Sequence, residues 1–222
     1  MAVRDTSRSD GRTLVSFLTL RRVVGALGVL LPIVLVLGSN ALDPQPGLQE
    51  SISDYYGTAM RDVFVGVLFA IGWFLFSYRG YDVRDDLAGD LACLFAMGVA
   101  LFPTTSADPA IRNVHFASAA LLFLVLAYFS LYLFTKSRVG TPMTREKRLR
   151  NRVYRICGVL MLLCIALIAV YKWGFEDTAL AHWKPVFWLE SIALWAFGWS
   201  WFVKGETVLT DDGVDWVPLN RI

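Results

Sequence analysis

Asp62, His115 and Glu190 are the residues whose types and positions suggest chemistry, each standing in the first two turns of a different strongly apolar segment. Ionisable groups in such segments are costly and need a structural or functional reason. A carboxylate, an imidazole and a second carboxylate are zinc-ligand types that would activate water against a lipid ester or amide. The same set would equally hold the hydroxyls or amines of a small polar ligand. Arg61 and Arg112 stand beside them and suit phosphate, and Tyr56 adds a hydroxyl. Arg112 and His115 share a helix face at i, i+3, whereas Arg61 points about 100° away from Asp62 and is free to snorkel toward a lipid phosphate. Asp54, Tyr55 and His182 fall near the same helix ends.

The elements that must position these residues follow from composition. The 222 residues are 56% hydrophobic and 14% aromatic with only 18% charged, which marks an integral membrane protein. Crossing a hydrocarbon core takes about 20 mostly apolar residues in a helix. Six stretches qualify: Val23 to Leu42, Thr58 to Tyr78, Leu87 to Phe102, Asn113 to Phe134, Val153 to Tyr171 and Pro185 to Val203. The expected fold is therefore all-α, a polytopic six-transmembrane-helix bundle over residues 23–204, flanked by an N-terminal segment 1–22 and a tail 205–222. Pro32 is expected to bend the first span and Pro103 to end the third. Leu14 to Leu20 reads as a short interfacial helix, and Met1 to Gly11 as disordered.

Lysines and arginines set the orientation. Arg4, Arg8, Arg12, Arg21 and Arg22 precede the first span, and Lys136, Arg138, Arg145, Lys147, Arg148, Arg150, Arg152 and Arg155 crowd the fourth connection. The opposite connections are poor in basic residues, so the chain is expected in the cell membrane with both termini cytoplasmic. Spans two, four and six then run from outside to inside. If they begin near Gly57, Arg112 and Pro185, the trio lies roughly 4 to 8 Å below the outer boundary, in one layer. The basic connection itself reads first as a topology signal and second as an anionic-lipid or regulatory-partner site. Tryptophans fit the two interfacial belts, Trp173, Trp183 and Trp188 outside, Trp73, Trp199 and Trp201 inside.

Spans two and six end alike, Ala70-Ile71-Gly72-Trp73 against Ala196-Phe197-Gly198-Trp199, a pattern that shared interfacial requirements explain without a duplication. Cys93, Cys157 and Cys164 lie inside apolar runs without CxxC spacing and read as small buried residues without a disulfide.

Four functional readings stand beside a purely structural one, in which the trio hydrogen-bonds across helices. The first is an outward-facing polar pocket for a lipid headgroup or small polar ligand, built from Asp62, His115, Glu190, Arg61, Arg112 and Tyr56. A metal-dependent lipid hydrolase is the second, although membrane hydrolases of the ceramidase type rely on three histidines and this chain has 2 in all. Nucleophilic catalysis finds no elbow or base spacing around Ser53, Ser118 or Ser191. A proton-coupled carrier wants charges at mid-span, and the middles of all six stretches lack them. No metal or cofactor is expected. Membrane lipids are the expected partners, nucleic acid is excluded by a net charge of only +2, and a homo-oligomer stays open.

Ile52-Ser53-Asp54-Tyr55 leading into the second span, Val114-His115 with Phe123 and Tyr128 behind it, and Trp188-Leu189-Glu190 opening the last span resemble the pattern of the DRAM/Sfk group of six-span membrane proteins. The resemblance implies a role near lipids, in lipid remodelling, lipid distribution or the regulation of membrane trafficking. A bacterial membrane protein of the same architecture is equally compatible.

Overall fold

Apolar runs of helix-forming residues, punctuated by Gly, Pro and short polar segments, fold as six long helices. They are α1 (Ser7–Leu42), α2 (Arg61–Ser77), α3 (Val83–Leu101), α4 (Pro109–Tyr128, extended by a π turn Phe129–Leu133), α5 (Arg145–Gly174) and α6 (Pro185–Lys204). A computed structural model describes residues 7–44, 47–78, 83–136 and 144–205, with side chains from residue 18 onward. Among these residues there is no strand, and two 3-10 turns, Ser53–Gly57 and Ala179–Trp183, shape the connections. The first six residues, Arg79-Gly80, Arg138 and the acidic tail from residue 206 lie outside the described residues.

The helix ends follow local rules. α4 starts on Asp108, whose carboxylate accepts from the Ala110 amide, with Pro109 at the first helical position. Thr144 caps α5 by accepting from the Lys147 amide. α3 stops before Phe102-Pro103, as proline requires. α6 begins at Pro185, and the residue before it, Lys184, is held in the left-handed region at φ 49°.

Four helical stretches, Leu18–Leu42, Pro109–Leu133, Arg145–Gly174 and Pro185–Lys204, are long and apolar enough to cross a membrane. α2 has only 17 residues, and the first two turns of α3 carry Arg84, Asp85, Asp86 and Asp90. α1 departs from expectation at its start: it is already helical at Ser7 and runs unbroken through Leu14 to Leu20 and past Pro32. Proline is tolerated in a helix of this kind when neighbours and local adjustment compensate the lost backbone bond.

Each helix packs on the next in sequence, and α6 returns to pack on α1, so the six form a closed ring. Close approach at the seams is set by small residues. A Cβ on Gly198 of α6 would stand 2.6 Å from the Gly25 carbonyl oxygen of α1, and one on Gly25 would stand 2.8 Å from the Gly198 carbonyl oxygen. Gly89 meets the Leu75 carbonyl between α2 and α3, and Gly98 meets Ser118 between α3 and α4. This is small-residue packing of the kind used where apolar burial alone does not drive helices together. It also explains the matching ends of spans two and six. Gly72 rests against Ala96 and Met97 of α3, Gly198 rests against Gly25 and Val29 of α1, and the tryptophan after each glycine is exposed.

One expected belt residue is core instead. Trp201 is 2% exposed and stacks with Phe129, Phe134, Phe197 and Tyr78, which fill the end of the ring opposite the trio. Its position on α6 turns it inward, whereas Trp199 faces out. Cys157 and Cys164 are buried, and all three cysteines are free thiols.

Candidate functional site

Residues 47–60 fold back over one end of the ring, and the trio is read from how it meets this segment. The 3-10 turn Ser53–Gly57 buries Ser53 and Tyr55 and leaves Asp54 half-buried. His115, 1% exposed, projects from α4 between two partners: Nδ1 lies 2.6 Å from the Phe102 carbonyl oxygen and Nε2 lies 2.8 Å from Ser53 Oγ. A carbonyl only accepts, so Nδ1 carries the proton, and in the neutral ring Nε2 accepts from the Ser53 hydroxyl. One imidazole thereby joins α4, the end of α3 and the folded-back segment.

Glu190 makes a second attachment, from α6. Its Oε2 accepts from the Ile52 amide at 2.6 Å, and the Ser53 amide lies close to the same carboxylate. These amides belong to the start of a helical turn, where backbone donors lack partners of their own. Around them the segment is tied further: the Phe187 amide donates to the Glu50 carbonyl at 3.0 Å, and Lys184 donates to the Leu48 carbonyl and pairs with the Glu50 carboxylate at 3.3 Å. Thr104 donates to Asp54 at 3.0 Å, and Ser51 donates to the other Asp54 oxygen at 2.8 Å. The strained Lys184 backbone is thus held by contacts with the segment it helps to fix.

Tyr55 is fully buried against Phe187, with ring centroids 6.3 Å apart, and its hydroxyl completes no hydrogen bond among the described residues. Burial pushes the Tyr55 phenol above its ordinary value, and the adjacent Gln49 backbone opposes that shift.

The remaining predicted residues take other positions. Arg112 turns back to the loop before α4, donating to the Ser106 carbonyl at 2.7 Å and the Ala107 carbonyl at 3.2 Å. Arg61 is exposed; its guanidinium stacks over the Tyr56 ring at 4.6 Å and donates to the Tyr56 hydroxyl at 2.9 Å. Asp62 is exposed beside it, and His182 is exposed against Trp183.

Two of the three helices begin elsewhere than the depth estimate took them to. α2 starts at Arg61 after the 3-10 turn, so Asp62 is its second residue, about 1.5 Å from the start. α4 starts at Pro109, which puts His115 about 9 Å along it, while Glu190 is about 7.5 Å along α6 as expected. Asp62 lies where the helix dipole favours an acid without further reason. Among the described residues no three His, Cys, Asp or Glu side chains gather in a metal-ligand cluster. Ser53 and His115 have the spacing of a nucleophile and its base. Ser53 is however 7% exposed, so its hydroxyl is shielded from an incoming substrate. The pair is built as a clasp.

Ser53 and Thr104 carry the attachments that sequence reasoning passed over. Ser53 was considered only as a nucleophile and in the Ile52–Tyr55 run, and Thr104 not at all, since the partners lie 62 and 50 positions away. Comparison of the chain with protein-family models, with curated proteins and with solved structures gave no match.

Proposed function

We propose that the protein is a six-span membrane protein, both termini cytoplasmic, whose clasped outer end recognises a phospholipid headgroup through Arg61, Tyr56 and Asp62. The observation that carries the reading is Arg61. It is an exposed guanidinium, stacked and hydrogen-bonded to Tyr56, with no carboxylate partner among the described residues, at the end of a helix in a lipid-facing ring. Arg61 suits the phosphate, Tyr56 fixes the guanidinium, and Asp62 suits an ammonium group. His115 and Glu190 hold the segment on which Tyr56 stands, Arg112 holds the loop before α4, and none of the three meets the ligand. The resemblance to the DRAM/Sfk group points to lipids as well.

Two features support counting α2 and α3 as spans. Both sit in the ring between α1 and α4, which are long and apolar enough to cross. The charged start of α3 stands at the basic end, where Asp85 pairs with Lys136 at 2.6 Å, leaving an uncharged helix from residue 91 to 101. Cysteine placed at position 47, where an added Cβ meets nothing within 4 Å, is expected to react in intact cells with an impermeant thiol reagent. Cysteine at Arg145 is expected to react only after permeabilisation. The reverse pattern would invert the topology.

Arg61→Ala is expected to weaken retention of phosphatidylethanolamine by about fivefold, since one cation near a phosphate contributes about 1 kcal/mol. Stability should change little, because Arg61 is exposed. Asp62→Asn is expected to weaken ethanolamine lipids and spare phosphatidylglycerol. Unchanged lipid retention in Arg61→Ala, measured on the purified protein by native mass spectrometry, would remove the headgroup reading.

A further inference from the structure

The opposite end of the ring carries a second arrangement of cations. Here Lys136 is committed to Asp85, and the Lys147 ammonium donates to the Phe134 carbonyl at 3.1 Å. Both act within the protein. Arg152 and Arg155 are different: they are exposed, and neither makes an ion pair among the described residues.

Arg148, Arg152 and Arg155 recur at i, i+4 and i+7 along the first turns of α5, and so share one face. With Asn151 and Ile156 they line a recess of about 380 Å³, within the size range of small-molecule sites. The same face then changes character. Ile156, Leu163, Leu167 and Val170 follow at intervals of seven, four and three residues, and each is more than half exposed. A cationic recess therefore opens onto an apolar lane of about 20 Å along a helix long and apolar enough to cross a membrane.

We propose that this face of α5 binds one anionic phospholipid, with the phosphate held in the recess by Arg152 and Arg155 and an acyl chain along the lane. Charge complementarity selects an anionic head over a zwitterionic one, because the recess lining contains three arginines and no acid. The lane selects a lipid over a free anion, because inorganic phosphate uses the arginines alone. The site is separate from Arg61, at the other end of the ring.

The test uses the full-length protein purified in neutral detergent, where membrane orientation plays no part. Retained phosphatidylglycerol and phosphatidylcholine are compared by native mass spectrometry. The wild type is expected to retain phosphatidylglycerol preferentially. Arg152→Gln combined with Arg155→Gln is expected to lower that retention about 30-fold, at about fivefold per arginine. Both residues are exposed, so the variant keeps its fold. Lys172→Gln, which removes a cation from the far end of α5, serves as the control and keeps the preference. Equal retention by the double variant and the wild type would overturn the site. Displacement of the lipid by inorganic phosphate at the same concentration would also overturn it, in favour of a free-anion site.

Discussion

Replacing His115 with alanine is expected to lower the free energy of unfolding by about 3 kcal/mol, measured by detergent or thermal denaturation of the purified protein. The imidazole is 1% exposed and makes two hydrogen bonds, so its removal opens a cavity and leaves the Phe102 carbonyl and the Ser53 hydroxyl without that partner. Ser53→Ala removes only one of those bonds and should cost about 1 to 2 kcal/mol. In the double variant the losses should fall short of their sum, because the shared bond is lost only once. Additive losses would mean that the two residues act independently and would refute the clasp. His115→Asn is the informative partial replacement, since its amide can donate to one partner but cannot span both. Backbone amide exchange over residues 50–57 should rise in His115→Ala more than anywhere else in the chain.

Gly198→Val is expected to be strongly damaging at a helix seam. A Cβ alone would approach the Gly25 carbonyl oxygen to 2.6 Å and the Val29 Cγ2 to 2.6 Å, and the first of these is backbone. Rotamer changes relieve a clash with a side chain, but a backbone clash is relieved only by moving a helix. Overpacking of this kind costs about 1 to 3 kcal/mol, and the branched side chain takes the upper end. The measurement is the yield and thermal midpoint of monodisperse protein. The comparison is Gly66→Val, where an added Cβ meets nothing within 4 Å and little loss is expected. Equal tolerance at both positions would show that α1 and α6 do not approach through Gly25 and Gly198.

Much of the helical content was legible because hydropathy and punctuation agree. Pro185 begins a helix and Pro103 follows the end of one, as expected, whereas α4 and α5 begin at Pro109 and Arg145, ahead of the expected Asn113 and Val153. The site was legible in part. His115 and Glu190 were marked as costly groups in apolar runs, and both do hold buried partners. Asp62 was marked by the same logic, yet the 3-10 turn Ser53–Gly57 delays the start of α2 and leaves that acid at a helix N-terminus. A boundary error of four residues is enough to move a charge by about one turn. The purpose of Arg112 was hidden because its partners are main-chain carbonyls, which every residue has and no composition reveals. Trp201 was misplaced for a related reason. Near a helix end, tryptophan suits both an interfacial belt and an aromatic core, and only the azimuth around α6 decides between them.

The packing of α1 against α6 joins the two helices furthest apart along the chain. During synthesis α1 is made before α6, and its Gly25 surface lacks the Gly198 partner until α6 emerges. The same late arrival delivers Glu190 to the waiting Ile52 amide and brings Lys184 to the carbonyl of Leu48. The arrival of α6 therefore completes the seam and the folded-back segment together. A nascent chain arrested before Pro185 would expose both at once, a combined signal for membrane quality control to act on.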